Sequence, residues 1–176
     1  MFDSIRPRVL IMAGGTGGHV FPALAVADKL RQSAVDLSWL GTLNGIEAEL
    51  VPSHDIPIDY IEIEGIRGKG AKALFKAPYL MCRSINQAFD VLKDFRPDVV
   101  LGMGGFVSGP GAMAARIKHI PIVVHEQNAV LGRVNRFFSK RVNAVACSFW
   151  PTDAPANTKL YFTGNPIRHD IMATHK

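Results

Sequence analysis

The chain has 176 residues, 48% of them hydrophobic and 20% charged, and carries a formal net charge of +5. That length supports one domain with a core of its own, and the composition excludes fibrous and disordered classes. The positive balance favours an anionic partner, whether a phosphate group, a nucleic acid or an acidic membrane surface, without choosing among them.

Residues 8–12 read as a strand, and 22–32 as a helix with Leu24, Ala27 and Leu30 on one face. A second strand is expected at 35–40, a short helix at 45–51 and a third strand at 56–63. The next helix is expected at 78–94, with a core stripe of Met81, Ile85, Ala88, Phe89 and Leu92. A strand at 99–101, a helix at 109–118, a strand at 122–125, a helix at 130–140, and strands at 142–146 and 160–163 complete the pattern. Strands alternating with helices imply βαβ units and a parallel sheet, and apolar runs such as "VLIM" and "PIVV" suit a sheet covered on both faces. The fold class is therefore α/β: a doubly wound, Rossmann-like parallel sheet.

Cys82 and Cys147 lie in apolar surroundings and read as two buried free thiols of a reducing compartment. The opening "MFDSIRPR" lacks the apolar core of a signal peptide, and the uncharged run 99–115 holds five glycines and a proline, so it is no membrane span. The expected location is the cytosol, with any membrane contact peripheral. Residues 1–165 read as the domain, and 166–176 as the start of a linker to a second one.

Between the first strand and the first helix stands "AGGTGGHVF" (13–21). The P-loop pattern fails, because His19 occupies its second glycine position and no lysine follows. The dinucleotide pattern fails as well: Val20 stands at its last glycine, and "WLGT" (39–42) brings no acid to the end of the second strand. A second glycine loop within "VLGMGGFVSGPGAMAA" (100–115) weakly repeats the first. In the usual strand order the first and fourth strands are neighbours, so both loops would face one crevice. Two glycine-exposed helix starts converging there suit a diphosphate better than a single phosphate. At the first helical turn the dipole disfavours imidazolium, which leaves His19 neutral and able to act as a general base for a nearby hydroxyl.

Four motifs in order, "GGTGGHVFPALAVA", "GMGGFVSGP", "HEQNAVLGRVNR" and "TGNPIR", closely resemble the family of peptidoglycan N-acetylglucosaminyltransferases, over residues 8–171. The resemblance implies the N-terminal half of a GT-B enzyme of two Rossmann-like domains, inverting and needing neither metal nor cofactor. It implies transfer of GlcNAc from UDP-GlcNAc to the 4-hydroxyl of MurNAc in lipid I, undecaprenyl-diphosphoryl-MurNAc-pentapeptide, making lipid II. Carried over, Gly14, Gly15, Gly104, Gly105 and Ser108 would cradle the acceptor diphosphate. Thr16, Gly17, Gly18, Asn128 and Arg168 would touch substrate, and His19 would be the base. Glu126 is either an active-site acid or a structural anchor, and His125 reads as a buried polar residue bonded to a loop. Phe106 stands where the family commonly has tyrosine.

Leu74, Phe75 and Tyr79, ringed by Lys69, Lys72, Lys76 and Arg83, would form a peripheral patch on the anionic cytoplasmic face of a membrane. On this reading nucleic acid has no role, and the chain without a donor domain is inactive in transfer. Two rival readings remain: a nicotinamide-dependent oxidoreductase, and a non-enzymatic module binding anionic lipid headgroups.

Overall fold

The computed structural model describes residues 6–63, 70–151 and 153–167, with the backbone alone at 70–74. In chain order the elements are β1 (Arg8–Ala13), α1 (Gly17–Arg31), β2 (Asp36–Gly41), α2 (Glu47–Ser53), β3 (Ile58–Tyr60) and α3 (Gly70–Phe95). There follow β4 (Val99–Gly104), α4 (Ser108–Ile117), β5 (Ile122–Glu126), α5 (Arg133–Phe138), β6 (Ala144–Cys147) and β7 (Leu160–Phe162). The strands form one seven-stranded sheet in the order β3-β2-β1-β4-β5-β6-β7. Every pairing is parallel.

Alternation along β1 splits the core into two layers, as the two-residue period of a strand requires. Leu10 and Met12 face one layer, with Ala88 and Leu92 of α3 and Ala112 and Ala115 of α4. Val9, Ile11 and Ala13 face the other, with Val20, Leu24 and Ala27 of α1 and Val51 of α2. The sheet is covered on both faces, and the doubly wound expectation holds. Because β1 sits between β2 and β4, the chain reverses its winding there, and the loops after β1 and β4 lie side by side at the carboxyl edge.

Several expected boundaries move. α1 begins at Gly17 and contains Pro22, whereas periodicity placed its start at that proline. β3 is three residues, Ile58–Tyr60, and α5 is six, Arg133–Phe138, both much shorter than expected. α3 starts at Gly70 and runs 26 residues through Pro78. At 1.5 Å per residue it is about 39 Å long, roughly twice the length of a six-residue strand, so one end overhangs the sheet. The covered end starts near Ser84, whose hydroxyl lies 2.8 Å from the Glu62 carbonyl. Met81, expected in the core stripe, lies on the overhang and is 40% exposed. Cys82 is exposed for the same reason, a correction to the expected pair of buried thiols, whereas Cys147 is buried. Among the described residues no helix is long and apolar enough to cross a membrane.

Candidate functional site

The end of β1 is held from two sides. Trp39, buried on β2, donates its indole N–H to the Ala13 carbonyl at 2.8 Å. Beyond it the chain enters the first glycine loop, and there a buried carboxylate that the sequence motifs did not reveal takes control. Glu47, the first residue of α2, accepts the Gly15 N–H at 2.9 Å, the Thr42 N–H at 2.9 Å and the Thr42 hydroxyl at 2.7 Å. A signal is present in "GTLNGIEAEL", an acidic residue shortly after β2, but nothing in that stretch distinguishes it from any glutamate at a helix start.

Thr16 caps α1 with extended backbone, and its carbonyl accepts the N–H groups of His19 and Val20. Its hydroxyl oxygen sits 3.2 Å from His19 Nδ1. The imidazole lies against Gly104, and Gly105 lies against the Gly14 carbonyl, so the two glycine loops touch with His19 between them. Burial pushes the His19 imidazole below the ordinary histidine range; the negative charge of Glu126 and the Gly14 carbonyl act the other way. The neutral ring expected from the helix dipole is therefore favoured first by loss of water.

In the second loop Ser108 is only 1% exposed. Its hydroxyl oxygen accepts the Gly104 N–H at 3.2 Å and lies 3.0 Å from the Met12 carbonyl and 2.9 Å from the Gly104 carbonyl. That hydroxyl closes the turn and ties β4 to β1, with none of its surface facing the crevice. Phe106, by contrast, is 57% exposed at the loop tip.

The third wall is residues 125–135. His125 is buried and donates from Nε2 to the Gly164 carbonyl at 3.1 Å, the loop-bonded arrangement its sequence context suggested. Glu126 is 2% exposed and accepts four hydrogen bonds. Oε1 takes the Asn128 N–H and amide group at 3.0 and 2.9 Å, and Oε2 takes the Gly132 N–H at 2.8 Å and the Asn135 amide at 2.9 Å. Every lone-pair direction of the Glu126 carboxylate thus holds a donor, the arrangement expected of a structural anchor. Asn128 is exposed, held by Glu126 at the carboxyl edge of β5.

Gly15, Thr16, Gly17, Gly18, His19, Gly105 and Asn128 thus share one rim at the carboxyl edge of the sheet, with Gly14 and Gly104 buried beneath it. Arg168 lies outside the described residues, as do Lys69 and the side chains of Lys72 and Leu74. Lys76 is exposed on the α3 overhang, with Phe75 at 88% and Tyr79 at 67% exposure. Among the described residues no group of three His, Cys, Asp or Glu side chains could hold a metal ion.

Residues 9–147 match the model of the glycosyltransferase family 28 N-terminal domain. A UDP-N-acetylglucosamine–N-acetylmuramyl-(pentapeptide) pyrophosphoryl-undecaprenol N-acetylglucosamine transferase from Histophilus somni is 53% identical over 170 residues, covering 97% of this chain and 46% of that relative. The like-named protein from Shewanella piezotolerans is 51% identical over 168 residues, 96% of this chain and 46% of its own length. The crystal structure of MurG from Acinetobacter baumannii superposes with a TM-score of 0.76 at 42% identity, over 89% of this chain and 45% of that one. The chain therefore spans about half the length of the curated relatives it matches.

Proposed function

Because this chain belongs to the glycosyltransferase family 28 N-terminal domain family, we propose that it is the acceptor-binding half of an inverting GT-B N-acetylglucosaminyltransferase. The acceptor is lipid I, the donor UDP-GlcNAc and the product lipid II. Residues 1–165 form the acceptor domain, and 166–176 begin the connection to the donor domain. The observation that carries this reading is the contact of the two glycine loops with His19 between them.

The acceptor's diphosphate lies along the starts of α1 and α4, where backbone N–H groups without intrahelical partners receive anionic oxygens. His19 takes the proton of the MurNAc hydroxyl on its unprotonated ring nitrogen, with the Thr16 hydroxyl 3.2 Å from Nδ1 to orient the ring. The hydroxyl oxygen forms a bond to the anomeric carbon of GlcNAc from the face opposite UDP. The bond to the UDP oxygen breaks, and its electron pair departs with UDP. A neutral imidazole is the form that this step requires, and burial favours it. Asn128, fixed by Glu126, contacts the sugar, and Glu126 acts through that contact without touching substrate. On the family resemblance alone, Arg168 is assigned to the donor. The substrate's polyprenyl chain would bring the protein to the cytoplasmic face of the membrane, with the exposed Phe75, Lys76 and Tyr79 as the docking edge; Lys72 and Leu74 belong to that patch by sequence alone.

A nicotinamide enzyme fits less well, since the acid nearest the end of β2 is Glu47, buried and occupied by Gly15 and Thr42. Calorimetric titration of this chain with a short-prenyl lipid I analogue, UDP-GlcNAc and NADH separates the readings. Acceptor binding with little donor binding is expected. Binding of NADH in preference to the acceptor would replace this reading with the oxidoreductase one.

A further inference from the structure

We propose that Glu47 is the positioning residue of the first glycine loop, deciding where along that loop the diphosphate sits. The inference rests on the diphosphate reading above. Glu47 is fully buried, and a carboxylate leaves water at low cost only when strong donors replace the water. Here both oxygens are committed: Oε2 to the Gly15 N–H, and Oε1 to the Thr42 N–H and hydroxyl. The same group fills the space beside Gly14 and Gly45, so a side chain at either position would collide with it. One carboxylate thereby joins the end of β1, the end of β2 and the start of α2.

The consequence for binding is electrostatic as well as steric. Gly15 has φ +87° and turns its N–H inward to Glu47. That amide is occupied, and the negative charge behind it repels a second anion placed there. The diphosphate is pushed onward to the first turn of α1, where Gly17 and Gly18 present N–H groups with no intrahelical acceptor, next to His19 and the second loop. In a dinucleotide site an acid after β2 binds the ribose. Here the acid follows Thr42 by five residues and turns inward to the loop instead.

Glu47→Gln tests this, because it keeps the shape but sets an NH2 group against a backbone N–H. Thr42→Val removes one donor and leaves the carboxylate in place. Three readouts apply to this chain: the thermal unfolding midpoint, exchange of the Gly15 amide in 1H–15N spectra, and affinity for the lipid I analogue and for inorganic pyrophosphate. Glu47→Gln is expected to speed Gly15 exchange and weaken acceptor binding by the folded chain, each by about tenfold or more. A lower midpoint with unchanged affinity would make Glu47 merely a stabilising group and overturn the proposal, as would unchanged Gly15 exchange. Should Glu47→Gln fail to fold, Thr42→Val decides: Gly15 exchange faster by about fivefold supports the proposal, and no change overturns it. If the unmodified chain binds neither probe, the diphosphate reading itself falls. If that chain binds and Glu47→Gln binds equally well, only the role of Glu47 falls.

Discussion

Burial of His19 and His125 gives stability a defined pH dependence, because it lowers both imidazoles below their ordinary value. The unfolded chain then takes up protons near pH 6.5, while the folded chain takes them up only at lower pH. Between those values acid favours unfolding, so the stability these rings contribute is whole above pH about 6.5 and lost as pH falls toward the folded values. The thermal midpoint should drop from pH 7.5 to pH 5.5, and His125→Gln, which can still donate to Gly164, should flatten the slope. An equal slope in that variant would remove His125 from the account. Two glycines of the site make a sharper residue-scale contrast. A Cβ added at Gly15 (φ +87°) would meet nothing within 4 Å, so Gly15→Ala costs only backbone strain, about 1–2 kcal/mol. Gly105 (φ +85°) adds a collision with the Gly14 backbone, and Gly105→Ala should cost about 3 kcal/mol or more by denaturant unfolding. Similar losses at the two positions would mean that the loops do not touch.

At the scale of elements, the long apolar strands and the βαβ rhythm were legible because buried parallel strands leave unbroken hydrophobic runs. The prolines were misleading. Pro22 is buried inside α1 and Pro78 lies inside α3, where a reading by first-turn preference places helix starts. Glu47 escaped notice because its partners, Gly15 and Thr42, come together only after β1 and β2 have paired. Glu126 was ambiguous for the same reason: the amide of Asn135, nine residues on, reaches its carboxylate only once α5 docks. The α3 overhang carries this scale's prediction. Phe75 and Tyr79 are 88% and 67% exposed, and burying both in acyl chains would contribute roughly 3–5 kcal/mol. Phe75→Ser with Tyr79→Ser should release the chain from vesicles containing anionic phospholipid and leave the unfolding midpoint unchanged. Retention on those vesicles would exclude this end of α3 as the docking edge.

For the whole molecule, the arrangement of the sheet sets what the chain can do alone. The loops after β1, β4 and β5 all leave the carboxyl edge, so the proposed diphosphate cradle and the proposed base are gathered on one rim. Transfer also requires a group that holds UDP-GlcNAc in line with that rim and stabilises the departing diphosphate, since holding two reactants in attack geometry supplies much of the rate. The buried polar groups beneath the rim are committed to the loops themselves: Ser108 to the turn after β4, Glu126 to residues 128–135, and Glu47 to Gly15 and Thr42. The relatives that this chain matches are about twice as long. This chain alone should therefore bind the lipid I analogue and form no lipid II, whereas its fusion to the remaining half of the Histophilus somni relative should restore transfer. In that fusion His19→Ala should lower turnover by about a hundredfold or more while acceptor affinity changes little, the signature of a group used only in the transition state. Radiolabelled GlcNAc transfer measures both. Lipid II formed by the chain alone would show that the donor site lies within these 176 residues, and full turnover in His19→Ala would move the base to another residue.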